Sequence, residues 1–174
     1  MVRKAAAESL ETLVQVAPGD FETHLTSLFG DTIKDTDETV RMVAADVALS
    51  MIEKLQQAKV MAYVIPFIKG VPEDKAWRVR YVMATKITAF ATKLGSEHTA
   101  TTLVPIFTKF LSDSESEVRT GACNVLSDFC SVLLPEAIIS NLIPTLTALS
   151  NDTDAIKAMM GCHICKLAPI IGQS

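Results

Sequence analysis

Apolar residues recur along the chain with the period of an α-helix, and the same pattern returns at a nearly constant interval. Related segments start at Val2, Val40, Val79, Val118 and Ile156, and successive starts are 38 or 39 residues apart. In all five copies, the residues three, four, eight, eleven, twelve and fifteen places after the start are small or apolar. This spacing follows one face of a helix for more than four turns, so each copy predicts an amphipathic helix.

A second, shorter apolar segment with helical periodicity lies before each of the later copies. Three of these segments carry a proline at equivalent places, namely Pro66, Pro105 and Pro144, and the first has Ser27 there. Proline removes one backbone hydrogen bond and bends the helix axis. We therefore expect these first helices to be kinked at the proline or to begin there.

Each repeat is thus predicted to be a hairpin of two helices joined by a polar turn, with turns at 34–38, 73–76, 112–117 and 151–154. Such a hairpin cannot bury its apolar faces alone, so the hairpins must stack. Tetratricopeptide and ankyrin repeats run to about 34 and 33 residues, whereas HEAT repeats are longer. The prediction is an all-α solenoid of about four and a half HEAT-type repeats, a single array over 1–174 with units at 1–18 (a half repeat), 19–57, 58–96, 97–134 and 135–174.

Two further positions repeat with the hairpins. The residue five places after each start is always small: Ala7, Ala45, Ala84, Cys123 and Gly161. An aspartate five places before the start and an arginine one place after it recur together, as Asp35 with Arg41, Asp74 with Arg80 and Asp113 with Arg119. In a stack these form an Asp-Arg ladder, in which each arginine can reach a carboxylate of its own or of a neighbouring repeat. The last copy departs from this pattern, with Asn151 and Lys157.

Composition narrows the class of protein. The chain has 174 residues, 49% of them hydrophobic, and a formal net charge of −4, which suits a packed core and not a disordered chain. No apolar stretch approaches the roughly 18 residues of a membrane span, and no signal peptide is evident. The acidic balance argues against nucleic acid as a partner. Four cysteines without a secretory signal indicate reduced thiols in an intracellular protein, in the cytoplasm with the nucleus as a second compartment.

Candidate chemistry is sparse. Cys162, His163 and Cys165 suggest a zinc site, but zinc takes about four ligands, and structural thiols are the preferred interpretation. His24, His98 and His163 fall in three different repeats, without a nucleophile elbow or a phosphate-binding glycine loop. We therefore expect no enzyme, no cofactor and no metal.

Trp77 stands where the other later copies have Glu38, Ser116 and Asp154. A tryptophan at a polar turn position either packs over a neighbouring turn or is exposed for a partner. Arg78 and Tyr81 lie beside it, and a basic and aromatic spot is the composition of an interface hot spot.

Three stretches resemble the HEAT-repeat scaffold (A) subunit of protein phosphatase 2A: EDKAWRVRY at 73–81, LVPIF followed by SDSESEVR within 103–119, and LIPTL followed by LAPIIG within 142–172. The resemblance implies a non-catalytic scaffold, and this chain is expected to be an internal fragment of it. In that family the regulatory (B) subunits bind the intra-repeat turns, and the catalytic subunit binds other repeats. The implied partner-binding residues are Glu73, Asp74, Lys75, Trp77, Arg78, Tyr81, Glu115 and Glu117. The alternative is an importin-like transport adaptor that binds peptides or a small GTPase.

The first and last repeats should expose apolar residues that neighbouring hairpins would cover. We expect Ala5, Leu13, Met160 and Leu167 to be among them, and hence end-to-end association at high concentration.

Overall fold

The computed structural model describes residues 2–18 and 21–172, and this part of the chain contains helices and turns but no strand. Its α-helices, numbered in chain order, are α1 (Val2–Val16), α2 (Glu22–Lys34), α3 (Glu38–Lys54), α4 (Gln57–Lys59), α5 (Ile65–Gly70), α6 (Trp77–His98), α7 (Val104–Leu111), α8 (Ser116–Asn124), α9 (Leu126–Cys130), α10 (Pro135–Ala137), α11 (Ile143–Ala148) and α12 (Asp154–Ile171). The chain divides into two compact units, Met1–Val79 (unit 1) and Arg80–Ser174 (unit 2).

The prolines of the first helices coincide with segments of π-helix. These segments are Val60–Val64, Thr99–Leu103 and Ile138–Leu142, and each runs directly into the α-helix that carries the proline near its start. In each case the residue before the proline donates its N–H to the carbonyl five residues earlier, as Val104 does to Thr99. The wider turn accommodates a residue that has no N–H to donate. The predicted kink therefore takes the form of a π-turn, and α2, with Ser27 in place of proline, is α-helical throughout.

In unit 1, α1 and α2 both pack against α3. The buried face of α3 includes Ala44, Ala48 and Met51 of the predicted helical stripe, together with Val47, which lies outside that stripe. Phe29 of α2 meets Phe67 of α5 edge-on, with ring centroids 5.3 Å apart. An aromatic pair thus joins α2 to α5, while small and apolar residues line the buried face of α3.

In unit 2, α7 packs on α8, and α12 packs on α8 and α9. The rings of Phe107 and Phe129 lie 4.3 Å apart at the centre of this packing, and both side chains are fully buried. Helix α6 is interrupted at Gly95, whose φ of 81° lies in the left-handed region that favours glycine. Thr99 donates its hydroxyl to the Gly95 carbonyl at 2.8 Å and so helps to satisfy the interrupted helix end.

The expectation for the apolar residues of the two ends is half wrong. Ala5 is exposed and Leu13 is 42% exposed, but Met160 and Leu167 are buried. Ile164 is 44% exposed instead, although its equivalents in the four earlier copies are buried: Leu10, Ala48, Ile87 and Leu126. The residues four and eleven places after each start, Met160 and Leu167 in the last copy, therefore face the first helix of the same hairpin. The residue eight places after the start, Ile164 in the last copy, faces the side of the following hairpin.

Candidate partner-binding surface

The aspartates and arginines of the ladder form bidentate pairs between successive repeats. Arg41 Nε and Nη2 donate to the two carboxylate oxygens of Asp74, both at 2.8 Å. Arg80 binds Asp113 in the same way at 2.6 and 2.8 Å. Because a carboxylate matches the planar guanidinium, this geometry fixes orientation as well as distance. Each arginine therefore pairs with the aspartate of the following repeat.

Arg41 and Arg119 also reach their own repeats, but at a backbone carbonyl. Arg41 Nη1 donates to the Asp35 carbonyl at 2.9 Å, and Arg119 Nη1 donates to the Asp113 carbonyl at 2.8 Å. One guanidinium thus ties the end of its own turn to the turn of the next repeat.

The last pair of the ladder uses Asp152 and not the neighbouring Asn151. Arg119 binds the Asp152 carboxylate at 2.6 and 2.9 Å. Asp152 lies 33 residues after Arg119, the same separation as in the Arg41 and Arg80 pairs. An alignment of the aspartates to the helix starts does not predict Asp152, whereas a separation of 33 residues from each arginine does.

The same carboxylates shape the turns. Asp35 accepts the Asp37 N–H at 2.8 Å, Asp74 accepts the Ala76 N–H at 2.9 Å, and Asp113 accepts the Glu115 N–H at 2.9 Å. An aspartate that bonds the backbone two residues later is a common way to close a turn. The turns are therefore held from within by aspartate and from the neighbouring repeat by arginine.

The Arg80–Asp113 pair is the least exposed, with side-chain exposures of 11% and 8%. Burial opposes ionisation of Asp113, but hydrogen bonds from Arg80 and from the Glu115 N–H outweigh it, so the pKa of this carboxyl is lowered. The hydrogen bond from Arg119 likewise lowers the pKa of Asp152. The arginine is much more exposed in the pair of Arg3 with Asp35. Their side chains are 3.0 Å apart, and 64% of the arginine side chain is exposed.

Trp77 and Arg78 form a stacked pair at the start of α6. The Arg78 guanidinium carbon lies 4.7 Å from the centre of the Trp77 ring, in cation–π geometry. Arg78 Nη1 also binds Glu38 of the preceding repeat at 3.1 Å, and more than half of the arginine side chain is exposed. Trp77 is half-buried, so one part of its side chain packs against the protein and another part is accessible to a partner.

The other implied partner-binding residues lie on both units. In unit 1, Glu73 and Lys75 are exposed on the turn that also holds Asp74. In unit 2, Glu115 and Glu117 are exposed at the start of α8. Tyr81, 37% exposed, lies against Gly121 of α8 so closely that a Cβ atom there would be 2.9 Å from the tyrosine Cε2. The tyrosine therefore has a packing role in unit 2.

The cysteines and histidines do not converge on a site. Burial raises the pKa of the Cys123 thiol to about 11 and that of Cys130 to about 12, whereas Cys162 and Cys165 are exposed on α12. His163 is buried with Nδ1 3.0 Å from the Ser127 hydroxyl, and burial together with the charge of Lys166 lowers its pKa. Within the described residues, no three His, Cys, Asp or Glu side chains are grouped to hold a metal ion.

None of the described helices combines the length and the apolar character that crossing a membrane would need.

Comparison with solved structures identifies the class of fold. The crystal structure of Cex1p is similar over 94% of this chain and 32% of that protein, with a TM-score of 0.80 and 14% sequence identity. At that identity the similarity shows the fold alone. The chain is an all-α solenoid of HEAT-type helical hairpins.

Comparison with known sequences is more specific. Residues 96–172 match the family model of the PPP2R1A-like HEAT repeat. A human protein, the A beta isoform of the 65 kDa regulatory subunit of serine/threonine-protein phosphatase 2A, is 30% identical over 95 residues, which covers 52% of this chain and 16% of the human protein. These matches confirm the resemblance to the phosphatase 2A scaffold.

Proposed function

We propose that this chain is a non-catalytic scaffold segment that binds a regulatory (B) subunit of a phosphatase 2A complex through its intra-repeat turns. The similarity to the A beta isoform and to the PPP2R1A-like HEAT repeat supports this assignment. The catalytic subunit would bind through repeats outside this chain, in the cytoplasm and the nucleus. Such a scaffold acts by geometry, because it raises the effective concentration of one protein near another.

The observation that carries the proposal is the Trp77–Arg78 pair. Arginine and tryptophan are the residue types that dominate interface energetics, and here they are stacked and partly accessible at a turn. The turn itself is fixed by the Arg41–Asp74 pair, so the binding groups are held before a partner arrives. Such preorganisation reduces the entropy lost on binding.

The test is a titration in which purified regulatory (B) protein is added to wild-type chain and to Trp77→Ala, with a thermal melt of both. Loss of a hot-spot aromatic should weaken binding by about 2 kcal/mol, near thirtyfold. Since Trp77 is only half-buried, the melting temperature should change little. Arg78→Glu should act in the same direction, because it loses the stacking and places a second acid beside Glu38.

Phe21→Ala is the matched control, since Phe21 is an exposed aromatic of unit 1 (39%) outside the turns. It should leave the affinity for the regulatory (B) protein unchanged. A large drop in melting temperature with unchanged binding of that protein would show that Trp77 is a packing residue, and the proposal would then be rejected.

A further inference from the structure

A groove in unit 1 runs from the two polar turns into the space between α2 and α5. It consists of an inner cavity of 630 Å³ and an outer cavity of 780 Å³. The two cavities share five lining residues: Ile33, Lys34, Arg41, Glu73 and Asp74. The two cavities therefore adjoin at these residues, and we refer to them together as the groove. Trp77 lines neither of them.

The two ends of the groove differ in chemistry. The inner cavity has an apolar side that is formed by the π-helical segment Val60–Val64 and by α5, and it includes Tyr63, Pro66 and Phe67. Tyr63 is 45% exposed there. The outer cavity is lined almost entirely by residues of the two turns. A ligand that fills both ends must therefore be apolar at one end and polar at the other.

Carboxylates outnumber cations around the groove. Its lining contains six acids (Asp31, Asp35, Asp37, Glu38, Glu73 and Asp74) against three bases (Lys34, Arg41 and Lys75). Arg3 and Arg78 pair with two of the acids, and the acids still exceed the bases. Asp31 is exposed and forms no ion pair with any described residue. The groove therefore favours a cationic ligand.

Two glycines keep the inner cavity open. Gly30 lies inside α2 and Gly70 ends α5, and both line the cavity. A Cβ atom added at either would meet nothing within 4 Å, and neither has a positive φ. Glycine inside a helix is unfavourable relative to alanine, so a packing or backbone reason is expected, and here neither exists. The effect of these two glycines is therefore to leave space in the inner cavity that a side chain would otherwise occupy.

We propose that this groove binds an extended segment of a partner protein, with an apolar side chain on Tyr63 and Phe67 and lysine or arginine side chains against Asp31 and Asp37. A chain segment fits better than one small molecule, because small-molecule sites span roughly 300–1,000 Å³ and the two cavities together are larger. This contact does not include Trp77, although the outer cavity is lined by the same intra-repeat turns through which the proposed function has the regulatory (B) subunit bind.

The test starts with a phage library of short random peptides selected on the full chain. The enriched peptide is then made with a fluorescent label, together with a version in which its lysines and arginines are glutamate. We expect enrichment of peptides that combine basic and apolar residues, and about tenfold weaker binding of the glutamate version. Failure to enrich any peptide, or enrichment of acidic ones, would overturn the proposal.

The Gly30→Leu variant tests whether the peptide binds in the inner cavity. It fills the inner cavity, so the Kd for the peptide should rise about tenfold, while the better helix former raises the melting temperature by about 1–4 °C. Gly161→Leu in α12 is the matched control, since a Cβ atom there also meets nothing within 4 Å. It should stabilise similarly without changing peptide binding. Equal peptide affinity of wild type and Gly30→Leu would place the peptide elsewhere and reject the groove.

Trp77→Ala separates this proposal from the scaffold function. It should weaken regulatory-subunit binding while leaving the peptide Kd unchanged, because Trp77 does not line the groove. A loss of peptide binding in Trp77→Ala would contradict the groove as an independent site.

Discussion

The Asp113 side chain stabilises both its own turn and the contact with the preceding repeat. Its carboxylate accepts two hydrogen bonds from Arg80 and one from the Glu115 N–H, so it closes its own turn and binds the preceding repeat. Both members of the pair are nearly buried. A buried ion pair contributes little relative to apolar packing, but removal of one partner leaves the other charge uncompensated.

Asp113→Asn should therefore destabilise the chain by about 2–3 kcal/mol at neutral pH, as measured by urea unfolding. Asp35→Asn is the matched control, because Asp35 closes an equivalent turn but binds the exposed Arg3. Its cost should stay within about 1 kcal/mol. Equal losses for the two variants would show that the turn, and not the buried pair, carries the energy.

The lowered pKa of Asp113 makes the stability difference between wild type and Asp113→Asn depend on pH. The unfolded chain has the ordinary aspartate pKa of 3.8, so below that pH it binds more protons than the folded chain. The stabilisation is complete above that value and is lost as the pH falls through the lower pKa of the folded state. Wild type and Asp113→Asn should therefore converge in stability in strong acid, and a constant difference down to that range would contradict the ionic origin.

At the scale of the helix, three first helices contain proline and a π-turn, whereas α2 contains neither. Pro105→Ala should cost less than about 1 kcal/mol, because Pro105 is exposed and the π-turn already bypasses its missing N–H. Ser27→Pro should cost about 3 kcal/mol, since it removes a hydrogen bond inside a regular α-helix. Urea unfolding of both variants would measure the contrast, and a mild effect of Ser27→Pro would mean that α2 adopts a π-turn readily.

Periodicity predicted the second helices and their turns because both depend on local patterns. The stripe that begins at Val40 becomes α3, and the turn at 34–38 separates α2 from α3. The choice of aspartate by each arginine depends instead on the spacing between stacked hairpins, so Arg41 could have been assigned to Asp35 or to Asp74. The interruption of α6 at Gly95 lies beside the expected boundary between the units 58–96 and 97–134, because the apolar stripe of the second helix ends there.

The candidate site was only partly accessible from sequence. Trp77 and Arg78 stand out because they replace polar turn residues, and their stacking follows from adjacency. The groove did not stand out, because its apolar side and its acidic turns come from residues as far apart as Thr26 and Val79. Only the packing of α2 against α5 brings these residues together.

At the scale of the whole molecule, the exposed stripe position of the last repeat predicts weak self-association. Ile164 and Ile143 are 44% and 37% exposed, whereas the equivalents of Ile143 in the two preceding repeats, Ile65 and Val104, are buried. Full burial of one such side chain is worth about 1.5–3 kcal/mol, and association costs about 4–15 kcal/mol. Two side chains that are already more than half-buried recover only part of that cost, so a dimer should be weak and detectable only at millimolar concentration or above.

Ile164→Glu should abolish this association in sedimentation equilibrium, because a carboxylate would lose hydration in the contact. Ile139→Glu is the control: Ile139 is 43% exposed, but the equivalent residues Met61 and Ala100 are exposed too, so this position does not face a neighbouring hairpin. It should associate like wild type. A wild-type chain that stays monomeric at millimolar concentration, or equal effects of the two substitutions, would show that the apolar face of the last repeat is not a contact surface between copies.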